Sequence, residues 1–168
     1  HAETYGGLSI AQIRAKSHKI LPLQCCSLSQ KPFETPVSLK DGSLYEAENL
    51  IWYVKEFKTN PVTGFNCSIS EIKPVKFHKN DDDKHKFSDP ITNKPFSHNS
   101  HVVINRVSGY VYSYETVETM NKKSKNFTDL ITSEKFNWSK DMITIRDPSK
   151  PDLGAVDQFH YMVCGRQE

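Results

Sequence analysis

Any catalytic or metal-binding chemistry in this chain would have to draw on its four cysteines, Cys25, Cys26, Cys67 and Cys164, and its seven histidines. A structural zinc site takes its ligands as close pairs, C-x-x-C or H-x(3–5)-H, because two short loops must converge on one tetrahedron. No cysteine pair has that spacing. His98 and His101 stand three apart, yet no cysteine lies between Cys67 and Cys164 to complete a set with them. The chain is therefore expected to hold no metal, with His98 and His101 as solvated loop residues. Adjacent Cys25 and Cys26 are awkward partners for one disulfide, and Cys164 stands alone, so no secreted disulfide framework is written here and a reducing compartment is expected. There is no G-x-S-x-G, no phosphate-binding glycine loop and no HExxH. No catalytic residue and no cofactor are expected, and a reaction promoted by this chain would proceed on another enzyme that it holds.

Charge and hydropathy narrow the partners. The formal charge is +2, from 22 Lys and Arg against 20 Asp and Glu. The basic residues are interspersed with acidic ones and form no stripe, which argues against direct nucleic-acid binding. No apolar run reaches membrane-spanning length and no signal peptide is visible, so no membrane contact is expected. The chain opens at His1 without a methionine, which predicts a piece of a longer protein.

The elements that position these residues are organised by an internal echo. LSQKPF (28–33) is answered by ITNKPF (91–96), at an offset of 63, and GSLY (42–45) by GYVY (109–112), at 67. The second offset also pairs Leu50 with Val117 and Tyr53 with Met120. A chain of 168 residues, 36% hydrophobic, can bury one ordinary core or two small ones, and the echo favours two.

After an amino-terminal arm (1–19) containing Gly6-Gly7, the first module is expected over 20–75. Pro36-Val37 opens an extended run, Asp41-Gly42 signals a hairpin, and Leu44-Tyr45 begins the return strand. Residues 46–57 read as a helix with Ala47, Leu50, Ile51, Val54 and Phe57 on one apolar face, Tyr53 at its edge and Trp52 nearly opposite, where it would meet a partner. TNPVTG (59–64) is a turn, and Ile69 and Ile72 close the module. The linker is expected over 76–84, and the polar run HKNDDDKHK (78–86) reads as a solvated linker or hairpin tip. The second module, 85–146, repeats the plan with a loop at Pro90-Ile91, a VVI run (102–104), a turn at Ser108-Gly109, and a helix that Ser113 caps and Tyr114, Val117 and Met120 anchor. Asn121 and Ser124 replace Val54 and Phe57, which predicts a shorter or less buried helix. A second loop (127–138) and a closing strand (142–145) follow. In the tail (147–168), Val156, Phe159, Tyr161 and Val163 are expected to dock on a module.

With these residues in order, the chain resembles the U-box family. Cys26-Ser27-Leu28-Ser29, Pro36-Val37, Gly42-x-x-Tyr45, Leu50, Tyr53 and Asn60-Pro61 follow its pattern, and Asp89-Pro90-Ile91-Thr92, Gly109-x-x-Tyr112, Val117 and Met120 follow it again. Together with Tyr5-Gly6-Gly7, KTNPVTG (58–64) and KNFTDLIT (125–132), the succession is similar to the tandem U-box half of the U-box cyclophilins over nearly the whole chain. The resemblance implies an α+β fold of two tandem zinc-free RING-like ββαβ modules, in which hydrogen bonds and ion pairs replace the metal. It implies a ubiquitin ligase that recruits a ubiquitin-conjugating enzyme through two loops and the helix groove between them. Leu28, Tyr53 and Pro61 take the binding positions, and Ile91, Met120 and Leu130 are their degenerate equivalents. Gly64 and Ser133 stand where active members often carry a basic residue. The same resemblance implies a nuclear protein with spliceosomal partners, whose cyclophilin isomerase domain lies downstream of this chain. The alternative it leaves is a docking scaffold in the spliceosome without ubiquitin transfer. The first module is the expected docking copy, because Pro61 stiffens its second loop while Leu130 sits in one that is two residues longer.

Overall fold

The computed structural model describes residues 19–165. Of the arm expected over 1–19, all but Lys19 lies outside them. Strands β1 (Pro36–Ser38), β2 (Leu44–Glu46) and β3 (Lys73–Pro74) form an antiparallel sheet in the order β2-β1-β3. The β1–β2 turn is made by Gly42, whose φ of 90° is cheap only without a Cβ. Helix α1 (Ala47–Phe57) follows directly, with Glu48 in its first turn and Lys55 in its last, where the helix dipole favours each. It ends at Lys58, whose left-handed backbone lets its N–H reach the Val54 carbonyl at 2.9 Å. The buried stripe of α1 is Leu50, Tyr53 and Val54. It is rotated from the expected face, since Ile51 remains partly in solvent and Tyr53, expected at the edge, is fully enclosed. Trp52 is 41% exposed, as its position opposite the face predicts.

The polar run between the halves is a hairpin, β4 (His78–Lys79) against β5 (Phe87–Ser88), whose tip carries the three aspartates. Asn80 Oδ1 closes that tip by accepting the N–H groups of Asp82 and Asp83, both at 2.9 Å. Phe87 stacks on Phe77 at 4.1 Å, and Phe77 on Phe33.

The second sheet joins β6 (Val102–Asn105), β7 (Val111–Ser113) and β8 (Met142–Arg146), again antiparallel, in the order β7-β6-β8. Helix α2 (Tyr114–Val117) continues into a π-turn over Glu118–Lys122. The expected cap at Ser113 is corrected: its side chain makes no capping bond, and its N–H is held instead by Asp89 Oδ1 at 2.9 Å. A short helix α3 (Trp138–Asp141), capped by Asn137, precedes β8. The tail forms a 3₁₀ turn (Val156–Gln158) and helix α4 (His160–Val163).

The halves share a core. Leu44 and Val75 of the first pack with Val102, Ile104, Val111 and Ile145 of the second. Arg106 crosses from the second half to donate to the Glu71 carbonyl at 2.6 Å and the Ser38 carbonyl at 3.3 Å. Burial draws its pKa down, and those carbonyl bonds compensate for the lost water. His101, expected in a solvated loop, is half-buried and stacked on Tyr114 at 4.2 Å, while His98 is exposed.

Candidate docking faces

Short loops need an anchor to hold one shape, and here each is wound around one side-chain acceptor. In the second half Asp89 gathers the first loop: Oδ2 accepts the N–H groups of Ile91 (3.2 Å) and Thr92 (2.9 Å), and also Thr116 Oγ1 of α2 (3.1 Å). Asp129 gathers the second loop, accepting the N–H groups of Ile131 (2.9 Å) and Thr132 (2.8 Å) on Oδ2. Its Oδ1 accepts Ser108 Oγ at 2.6 Å, Tyr112 Oη at 2.9 Å and Asn105 Nδ2 at 3.2 Å. Burial alone would raise this carboxyl's pKa, but the hydrogen bonds from Ser108, Thr132, Ile131 and Tyr112 outweigh it and hold the pKa below the usual value. Asn121 ties the π-turn to the same loop through Nδ2, to the carbonyls of Asn126 (2.6 Å) and Thr128 (3.0 Å).

The first half uses the same frame with weaker acceptors. Cys26 Sγ stands in the place of Asp89, facing the N–H groups of Leu28 (3.4 Å) and Ser29 (3.5 Å) and Asn49 Nδ2 of α1 (3.8 Å). Asn60 stands in the place of Asp129, with Oδ1 accepting from the N–H groups of Val62 (2.8 Å) and Thr63 (3.3 Å) and from Tyr45 Oη (3.1 Å). Its Nδ2 donates to Asp41 Oδ1 at 3.0 Å.

These frames present apolar side chains unequally. In the second half Ile91, Met120 and Ile131 are 40%, 43% and 42% exposed. Leu130 is half-buried against the cluster of Val103, Tyr112 and Val117, so it is the neighbouring Ile131 that reaches solvent from this loop. Sequence reasoning passed over Ile131; its signal was the adjacent apolar pair Leu130-Ile131 in a short loop, of which one can face the core and the other solvent.

In the first half Leu28 is half-buried, while Tyr53 and Pro61 are buried. The accessibility expected of that trio is thus corrected. Val156, Phe159 and Tyr161 of the tail lie on it, in one cluster with Tyr53, Cys25 and Leu21. Of the tail residues expected to dock, Val163 does not, being 72% exposed.

Two of the buried thiols, Cys25 and Cys67, are held unreactive. Burial, followed by the charge of Glu71, pushes the Cys67 thiol up to about 11, and burial with the neighbouring Cys26 raises Cys25. Such thiols stay protonated and are poor nucleophiles. Cys25, Cys26, Cys67 and Cys164 are all free. Among the described residues no three His, Cys, Asp or Glu side chains converge where a metal could sit. No helix among them is long and apolar enough to cross a membrane.

Comparison with known proteins gives this architecture a family. The chain is 38% identical over 150 residues to a "peptidyl-prolyl cis-trans isomerase-like 2" of Rhizopus delemar, an alignment covering 89% of this chain and 28% of that protein. It is 34% identical over 164 residues to "peptidyl-prolyl cis-trans isomerase CYP65" of Arabidopsis thaliana, covering 98% of this chain and 27% of the relative. With "peptidyl-prolyl cis-trans isomerase 4" of Caenorhabditis elegans it shares 33% identity over 148 residues, covering 88% and 28%. The chain therefore spans just over a quarter of the length of these relatives. Residues 11–157 match the family described as Rtf2 RING-finger, most of the chain, and this protein belongs to that family.

Proposed function

We propose that the chain is a ubiquitin-ligase module built from two tandem zinc-free RING-like U-box units, 20–75 and 85–146, with an arm before them (1–19), a linker between (76–84) and a tail after (147–168). It recruits a ubiquitin-conjugating enzyme and leaves the chemistry to that enzyme's cysteine. The observation that carries the reading is the loop–helix–loop frame pinned by Asp89, Asp129 and Asn121, with Ile91, Met120 and Ile131 held in solvent. Rigid loops bearing an exposed apolar trio are what a small transient interface needs, since they lose little entropy on docking. The first unit, expected to be the docking copy, has Leu28, Tyr53 and Pro61 under the tail and binds once the tail leaves them, whereas the trio expected to be degenerate is the one in solvent. Titration of the full chain with a panel of conjugating enzymes, followed by NMR, tests this. Ile91→Ala is expected to weaken the bound member about tenfold or more, the loss of a central apolar contact. A panel in which no enzyme shifts the loops at 89–96 and 127–134 would overturn the reading.

A second reading is favoured by one observation: Gly64 and Ser133 occupy the places where the resembling active ligases often carry a basic residue. On that reading the chain is a docking scaffold, in keeping with spliceosomal partners and a nuclear location, that binds without promoting transfer. An autoubiquitination assay separates the two, since binding without ubiquitin chains supports the scaffold. Prolyl isomerisation, which the relatives' names carry, is not part of either proposal, because the shared stretch is only about a quarter of their length.

A further inference from the structure

The carboxy-terminal segment crosses the first docking face from one loop to the other. His160 and Tyr161 donate their backbone N–H groups to the carbonyls of Val62 (3.0 Å) and Pro61 (2.9 Å) in the second loop. At the first loop Tyr161 Oη donates to the Ser27 carbonyl at 2.5 Å, lies 3.3 Å from that of Leu28, and accepts from Gln30 Nε2 at 3.4 Å. Between them Phe159 and Tyr161 cover Tyr53 of α1. One segment thus bonds both loops and covers the helix between, as a docked partner would.

Two further observations distinguish this segment from an ordinary part of the core. Tyr53, in one buried cluster with Val156, Phe159 and Tyr161, has among the described residues no hydrogen-bond partner for its Oη, which is itself buried. A buried hydroxyl left unpaired costs free energy, which any opening of that cluster to water would recover. At the edge of the face Gly64 makes room for the segment: a Cβ there would stand 2.6 Å from His160 Nδ1. The matching position in the second half, Ser133, carries a side chain at the same left-handed backbone angle, so the absence of one at Gly64 is a matter of space as well as conformation.

We propose that residues 155–163 are an intramolecular ligand of the first face, which holds that face closed and which a partner presenting an equivalent aromatic segment must displace. The partner's chemistry follows from the contacts: two aromatic rings spaced as Phe159 and Tyr161, one bearing a hydroxyl for the Ser27 carbonyl, on a backbone that donates to the second-loop carbonyls. In the closed chain only the second face is open. The identity of the displacing partner as a conjugating enzyme rests on the function proposed above, but the occupancy of the face does not.

The test therefore uses no conjugating enzyme. Hydrogen exchange on the full chain is compared for the native protein, Tyr161→Phe and Tyr161→Ala. Tyr161→Phe keeps the ring and loses only the hydroxyl's bonds, and it should speed exchange at the amides of His160 and Tyr161 about three- to tenfold, the range one net hydrogen bond commands. Tyr161→Ala should release residues 155–163 and expose 27–31 and 59–64 while leaving 100–146 protected as before. A labelled peptide of residues 151–165 added in trans should then bind the Tyr161→Ala chain at least tenfold more tightly than the native one, whose face is filled. Exchange that rises across the whole chain in Tyr161→Ala, with none confined to the tail in Tyr161→Phe, would show the segment to be an inseparable part of the fold and overturn the proposal. Equal peptide binding to both chains would overturn it too.

Discussion

Asp129 receives five hydrogen bonds, from Ser108, Tyr112, Asn105 and the backbone of Ile131 and Thr132, and so carries the strand turn and the second loop together. Tyr112 is matched to it: burial first, then the Asp129 charge, raises the phenol's pKa and keeps it a donor. Asp129→Ala leaves several buried donors unpaired at once and is expected to cost about 3 kcal/mol or more of stability, read from urea denaturation. The carboxyl also writes a pH dependence. Its folded pKa lies below that of the unfolded chain, so the unfolded state binds the proton more readily. The stabilisation is complete above about pH 4, the ordinary aspartate range, and is lost as pH falls through the lower folded value. Asp129→Asn should be less stable at neutral pH and show a flatter loss of stability on acidification, whereas equal slopes for the two proteins would discount this carboxyl.

The two helices illustrate how one plan diverges at the level of an element. Helix α1 runs its eleven residues because Leu50, Val54 and, under the tail, Tyr53 each find a buried neighbour. In the second half the position of Val54 is taken by Asn121, which lies in the π-turn after α2 and is buried for a different purpose, to grip the carbonyls of Asn126 and Thr128. Regular α-helix there stops at Val117 and the wider π-turn follows. The expected shorter helix is found, but Asn121 is not the exposed residue that its polarity suggests. Asn121→Leu should keep the volume buried and release the loop, costing about 1–3 kcal/mol and raising exchange over 126–132. If that loop stays equally protected, Asp129 alone suffices to hold it.

At the scale of the molecule the halves are locked by a reciprocal contact at their hairpin turns. A Cβ on Gly42 would stand 2.6 Å from the Thr144 carbonyl oxygen of β8, and one on Gly109 would stand 2.6 Å from the Pro74 carbonyl oxygen of β3. Each turn presses on the closing strand of the other half, at φ values of +90° and +84° that already disfavour a side chain. Backbone cannot yield as a side-chain tip can, so Gly42→Ala and Gly109→Ala should each lower the melting temperature by on the order of 5 °C. Because Leu44 and Val75 share one core with Val102, Ile104 and Ile145, the variants should still melt in a single transition. Two transitions would show that the halves unfold separately.

Much of this was legible in the residues themselves. Turn signals at Asp41-Gly42 and Ser108-Gly109, the helix over 47–57 and the strands around them depend on local backbone preference and short-range periodicity, which a single sequence carries. What no local pattern contains is contact between distant positions. Burial of Tyr53 is decided by Phe159 and Tyr161, more than a hundred residues away, and the buried stripe of α1 turns to meet them. The outward turn of Ile131 in place of Leu130 is decided by Asp129 gripping that loop from below. An apolar side chain reads alike in sequence whether it meets solvent or a tail folded back over it, and only the tertiary structure decides which of two similar faces is closed.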